Sequence, residues 1–329
     1  MTLLKMSPAP HERAEQTTAL MMGKVLIALT PALIWACLIF GLRSLSLTLV
    51  CVAACVGFEY IFSILTKRAQ TVGDLSAVVT GVLIAFNMPV SAPLWLPVFG
   101  AFFAIIVVKC IFGGIGKNIV NPALAARVFM TLSWTDEMTA FTKAGNLLSP
   151  VSVSADSSAV ELIASATPLA ELKEGIISSD WSFMDMFLGN MPGCLGEVSA
   201  LLLLGGGIYL ILSKVITWHI PVIYIGTVAL ITFLLPHGAD SFSLNYMLSH
   251  ILSGGLILGA VFMATDYVTS PITKWGKVIF AVGCGLLTVF IRYFGAYSEG
   301  VSYSILIMNL FVWYIDRLTK PKVFGGVGV

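Results

Sequence analysis

Apolar windows of about 20 residues recur along most of this sequence, and at 1.5 Å rise per residue each is long enough to cross the hydrocarbon core of a bilayer. Of the 329 residues, 58% are hydrophobic and 11% are charged. Soluble domains carry about a quarter charged residues, so lipid is the solvent this chain is built for. The spacing predicts spans at 23–41, 45–66, 74–90, 93–111, 119–134, 198–213, 219–236, 247–265, 277–294 and 301–316. The expected fold class is therefore an all-α polytopic membrane protein of about ten transmembrane helices. Its expected parts are a tail (1–22), a first five-helix half (23–134), a loop (135–197), a second five-helix half (198–316) and a closing tail (317–329). The polar start through Gln16 and Thr18 leads into a full-length first span, so no cleavable signal is expected.

The net charge of +1 hides a segregation that carries more information. With ten spans both ends lie on one side. Lys5, Arg13, Lys24, Lys67, Arg68, Lys109, Lys117, Lys214, Lys274, Lys277, Arg317, Lys320 and Lys322 then fall on or beside the same face, which short basic loops mark as cytoplasmic. The other face receives Arg43, Arg292 at a helix end, and the loop of about sixty residues, which holds Lys143 and Lys173 against nine acids between Asp136 and Glu197. Its serine-rich start and mixed apolar content predict a small folded cap.

Leu75-Ser76 through Gly81, Ala85 and Pro89 is echoed by Leu252-Ser253 through Gly259, Met263-Ala264 and Pro271. Because five spans reverse the second copy, such a repeat has inverted topology, and folds of that kind place their sites between the halves. Recurrent small residues also serve close helix packing alone.

Gly113-Gly114-Ile115-Gly116-Lys117-Asn118 leads to Asn121-Pro122-Ala123 and an apolar stretch containing Arg127. Glycines permit irregular backbone beside a ligand, Asn121 can cap and Pro122 can open the next helix, and helix N-terminal amides suit an anionic or electron-rich group. A tight cytoplasmic turn is the plainer reading. Arg127 lies inside its span, where a guanidinium needs an acid, carbonyls or a cavity. Glu59 lies near enough to Lys67 and Arg68 to snorkel. Asp74, Glu197 and Asp266 sit at span ends as caps or dipole partners. In the loop, Ala164-Ser165-Ala166-Thr167-Pro168-Leu169 reads as a polar turn in which Ser165 and Thr167 can cap.

Six cysteines sit in apolar stretches without a CxxC pair, so neither a disulfide framework nor iron–sulfur ligation is indicated, and Cys51 and Cys55 read as packing. His219, His237 and His250 are scattered at interfacial positions without metal-ligand spacing. Phosphate-loop, dinucleotide and nucleophile-elbow motifs are missing as well, and nothing points to nucleic acid.

Taken in order, Asp74 through Gly81, Gly113-Gly-Ile-Gly116 with Asn121-Pro-Ala, Ser165-Ala-Thr-Pro168, Pro192 through Glu197, and Glu299-Gly-Val with Asn309 resemble the RnfD/NqrB membrane flavoproteins over nearly the whole chain. The short amino-terminal tail is more similar to the Rnf branch. The resemblance implies an electron-carrying subunit of a bacterial or archaeal cytoplasmic-membrane ferredoxin:NAD oxidoreductase that moves Na+ or H+. It implies FMN joined through its phosphate to a threonine, here Thr167, with Ser165 and Pro168 beside it. The family pattern has an acid six residues earlier and a hydroxyl three earlier; this chain has Glu161 and Ala164.

The same resemblance implies a second, noncovalent flavin (riboflavin), sought near Gly113, Gly116, Asn118, Asn121 and Arg127, and it places Asp316 where a family acid is proposed on the cation path. Implied partners are a covalent-FMN subunit, iron–sulfur membrane subunits, a cytoplasmic NAD-reducing subunit and a flavin transferase. The basic-residue count puts Thr167 on the extracytoplasmic side, where that transferase works. The competing readings are an NqrB-like subunit of a Na+-translocating NADH:quinone reductase, a flavin-free channel or transporter, and a purely structural assembly subunit.

Overall fold

A computed structural model describes residues 17–141, 168–173, 182–189, 191–197, 199–236 and 242–320. Among these residues the regular structure is entirely helical. The first half contains α1 (Thr18–Phe40), α2 (Leu42–Leu65), α3 (Ser76–Phe86), α4 (Leu96–Phe102), which runs on as a π-helical segment Phe103–Cys110, and α5 (Pro122–Ser133). Short helices α6 (Thr135–Thr139), α7 (Pro168–Lys173) and α8 (Phe183–Leu188) belong to the loop. The second half contains α9 (Ala200–Leu212), α10 (His219–Leu234), α11 (Leu244–Leu252), α12 (Leu256–Leu258) continuing as π-helical Gly259–Met263, α13 (Lys274–Phe294) and α14 (Val301–Leu318).

Helix occupies part of each of the ten expected spans, but the count of ten membrane crossings does not follow from it. Among the described residues three helices are long and apolar enough to cross, α1, α2 and α13, or four if the bent pair of α11 with α12 and its π-helical continuation counts as one. The shortfall has a local cause. The expected span 247–265 is broken, the two parts meeting at 64°, with Gly254 at φ 72° in the break. The expected span 74–90 is reduced to the 11 residues of α3, entered through Leu75 at φ 63°, a left-handed conformation that costs a leucine energy. α5 starts only at Pro122 and runs for 12 residues. Irregular backbone thus precedes both α3 and α12.

Apolar side chains cover the outside as well as the inside: Ile27, Leu49, Ile64, Leu230 and Phe290 are exposed, as lipid contact requires. Inside, α2 packs on α3, α1 on α9, α10 on α13 and α13 on α14. Close approach depends on glycine at two crossings. A Cβ on Gly81 would sit 2.7 Å from the Val52 Cα, and one on Gly206 would sit 2.6 Å from the Ala28 carbonyl oxygen, contacts with backbone that cannot move aside. Gly205, one residue earlier, faces open space.

Gly81→Ala is therefore expected to lower stability by about 1–3 kcal/mol through overpacking, although alanine favours helix. Gly205→Ala is expected to be neutral or slightly stabilising. Thermal unfolding of the detergent-solubilised protein checks both.

Candidate functional site

Three glycines with positive φ, Gly113 (117°), Gly114 (91°) and Gly116 (86°), turn the chain between the first π-helical segment and α5. Asn121 then caps α5: its Oδ1 accepts from the Ala123 and Leu124 amides at 3.0 and 3.3 Å, and Pro122 takes the first helical position. This much follows the sequence. The Asn121 Nδ2 is left free to donate to the Met263 carbonyl at 3.2 Å, at the end of the second π-helical segment. α5 and α12 are thereby tied at the centre of the bundle.

Below that tie lies a cavity of about 370 Å³. Its apolar walls include Met22, Val79, Leu83, Val261 and Phe262, and its polar rim includes Ser76, Thr80, Lys109, Asn118, Asn121 and Asp266. The Asn118 Oδ1 is buried with no hydrogen-bond partner, an acceptor facing a polar edge of that space. Asp266 is in the connection that follows the second π-helical segment; burial raises its carboxyl above the ordinary range, offset in part by the Thr269 hydroxyl at 3.0 Å and by nearby backbone N–H groups.

One rim residue belongs to a buried ion pair. The Lys109 Nζ lies 2.8 and 2.9 Å from the two Glu59 oxygens and 2.6 Å from the Ser76 hydroxyl, and Glu59 also accepts from Thr71 at 2.6 Å. Glu59 is 1% exposed, which corrects the expectation that it snorkels to the surface: a partner on the π-helical segment is closer than water. Lys109, expected among the basic surface charges, is equally buried. Asp74 is the cap expected of it, accepting from the Ser76 amide at 2.8 Å.

A second cluster sits halfway along α5. Arg127 donates to the Asn87 Oδ1 at 2.7 Å and forms an ion pair with Glu299, the residue before the turn into α14. Glu299 in turn accepts from the Gly255 amide at 2.9 Å, inside the α11–α12 break. Glu197 and Glu299 line a small pocket with Pro168, Leu169 and Gly254. Behind Gly254 lies Arg292, 2% exposed, bonded to the His250 carbonyl at 2.6 Å and to the Ser253 carbonyl at 3.4 Å. His250 is buried too.

Of the residues expected to bind cofactor, Gly116, Asn118 and Asn121 line the cavity, whereas Gly113 shapes the turn above it. Arg127 does not line it: six residues along α5 from Asn121, its side chain turns to the opposite cluster. Pro168 lines the far pocket, while Thr167, Ser165, Glu161 and Ala164 lie outside the described residues. Asp316 accepts from the Ile272 amide at 3.1 Å and contacts neither space. From sequence, Lys109 reads only as a basic flank and Glu299 only as part of a family motif, and Asn87 is not singled out at all. An acid and a base lodged singly in neighbouring apolar runs, as Glu59 and Lys109 are, was the available signal, since neither is stable there alone.

An all-helical chain with an apolar exterior, an internal cavity, and one buried and one half-buried ion pair among its described residues is an integral membrane protein organised around interior sites. The family model described as the NQR2, RnfD, RnfE family matches residues 5–325, and the chain belongs to that family. It is 47% identical to the D subunit of the Na(+)-translocating ferredoxin:NAD(+) oxidoreductase complex of Acetobacterium woodii, over 98% of this chain and 95% of that one. It is 38% identical to the D subunit of the proton-translocating ferredoxin:NAD(+) oxidoreductase complex of Clostridium ljungdahlii, over 98% and 96%. The D subunit of the ion-translocating oxidoreductase complex of Methanosarcina acetivorans is 31% identical over 99% of both chains.

Removing one member of a buried pair leaves an uncompensated charge. Lys109→Met should destabilise the protein by about 3–5 kcal/mol, and combining it with Glu59→Leu should recover most of the loss. Resistance of the purified variants to thermal unfolding in detergent gives the comparison.

Proposed function

We propose that this chain is the D subunit of an ion-translocating ferredoxin:NAD oxidoreductase complex, acting as an electron relay and completing no reaction alone. The observation that carries this is the 47% identity, nearly end to end, to a relative named for that complex. Relatives named for Na+ and for protons both align over almost the full chain, so the reading leaves the ion open.

In this reading FMN is attached through its phosphate to Thr167, and a second flavin is held without a covalent bond in the cavity at the start of α5. Bound there, a flavin supplies one- and two-electron chemistry at a fixed place, so electrons need no diffusing carrier. The residues present suit such a group. Val79, Leu83 and Phe262 offer apolar walls for a flat ring, the unpartnered Asn118 Oδ1 and the Asn121 cap offer polar contacts at its edge, and Lys109 supplies a fixed cation nearby. At the other end, Pro168 and Leu169 bring the residue after the attachment threonine against Glu197 and Glu299.

The bundle spans the cytoplasmic membrane about ten times as two inverted halves, with both termini cytoplasmic and the Thr167 loop outside. The paired breaks before α3 and α12 support the inverted relation. So does a buried cation from the fourth helix of each half beside its break: Lys109 near Ser76, Arg292 near Ser253. Its partners are the covalent-FMN, iron–sulfur and NAD-reducing subunits, with a flavin transferase for maturation.

Expressed with its complex and transferase, the chain should give a fluorescent band after denaturation. The peptide containing Thr167 should carry the mass of an FMN phosphoester, and Thr167→Ala should abolish both signals. An unmodified peptide would overturn the covalent relay. Asn118→Leu should lower the noncovalent flavin recovered by acid extraction while leaving the fluorescent band intact.

A further inference from the structure

Polar side chains inside the bundle form a thread that passes through one methionine. Asn121, on the cavity wall, donates to the Met263 carbonyl at 3.2 Å, and the Met263 sulfur lies 3.7 Å from the Asn87 Nδ2. The Asn87 Oδ1 accepts from Arg127 at 2.7 Å, and Arg127 pairs with Glu299, which lines the far pocket. Its surroundings are apolar: Leu83, Ile84, Phe86, Met88, Leu124 and Leu256 are all buried. Asn121 and Arg127 are six residues apart on one helix, a rise of roughly 9 Å. A polar thread of this length between two spaces has the layout of an ion path.

The group at its middle does not suit one. A guanidinium stays charged at any physiological pH, and here it is held between Asn87 and Glu299, the latter lining the far pocket. A cation leaving the cavity along the thread would meet Arg127 before it met Glu299. Repulsion between like charges is strong in a water-poor interior, and fixed arginines exclude cations from other narrow pores by this means. A neutral donor could serve the hydrogen bond to Asn87 equally well; the charge pairs with Glu299 and stands between the two spaces.

We propose that Arg127 is a charge barrier separating the cavity from the far pocket, so that no cation passes straight through the centre of this chain. The barrier is needed wherever a membrane protein holds two polar spaces one short helix apart, and it requires no bound flavin. Ions moved by the complex then take another route. The charged and titratable groups around Arg127 are Glu299 and Tyr303 at the start of α14, Glu197 and Cys194 before α9, and Arg292 of α13.

The complex carrying this chain is reconstituted into liposomes without electron donor, and passive entry of Na+ and H+ is followed with trapped indicator dyes. Wild type and Glu299→Gln should be tight. Arg127→Gln combined with Glu299→Gln, which removes the charge without stranding its partner, should leak Na+ about tenfold faster or more. Arg127→His makes the barrier adjustable within one folded protein: the Na+ leak, followed in steps from pH 4.5 to 9 beside Arg127→Gln/Glu299→Gln as the reference for other titrating groups, should rise as the imidazole loses its proton and reverse on acidification. The His variant decides the matter if the double variant fails to assemble. An assembled double variant as tight as wild type would overturn the proposal, and so would a His variant whose Na+ leak is flat across that whole range. In-gel flavin fluorescence is read on the same samples, so loss of flavin attachment is told apart from loss of the barrier.

Discussion

In a bilayer no water is at hand to satisfy a broken helix, so each interruption of the backbone has to be repaired by the protein itself. Asn121 performs much of that repair here. One side chain caps α5 with its oxygen and holds the end of the second π-helical segment with its nitrogen. Glu299 does the same on the other side, joining the Gly255 amide in the α11–α12 break to Arg127 of α5. The halves are stapled by polar side chains acting on irregular backbone, and the apolar packing closes around those staples.

These repairs also explain where the interior spaces lie. Irregular backbone is tolerated at membrane depth only where it is buried in protein or lines a cavity, and both breaks do so: Ser76 follows one and lines the cavity, and Gly254 lies within the other and lines the far pocket. Each space has a buried cation nearby, Lys109 at one and Arg127 with Arg292 at the other. Lys109 and Arg127 are each already paired with a carboxylate, Glu59 and Glu299, so the charge beside each space is balanced in place.

Much of this was legible in the sequence because composition and glycine, asparagine and proline placement act locally. The all-helical membrane character, the cap at Asn121, the capping role of Asp74 and the need of Arg127 for a partner follow from single residues and their neighbours. What escaped was set by distance. The Glu59–Lys109 pair spans 50 residues and Arg127–Glu299 spans 172, and hydropathy registers each of these charges only as a blemish in an apolar run. The helix breaks escaped for a different reason: Gly73-Asp74 before Leu75 and Ser253-Gly254-Gly255 are short interruptions that a span-length hydropathy window averages away, so length alone overstated how many helices run unbroken.

α5 links the two sites as a rigid rod, and that fixes a phase. Successive residues of a helix are turned by 100°, so the six-residue step from Asn121 to Arg127 points them roughly 240° apart, one into the cavity and one into the far cluster. A substitution within the step changes a contact, but inserting or deleting a single residue would swing one terminus through more than a quarter turn and aim Arg127 or Asn121 at lipid or packed side chains. A change of side chain between them leaves that phase intact, whereas a change in the number of residues does not, so the two sites take their separation from that count.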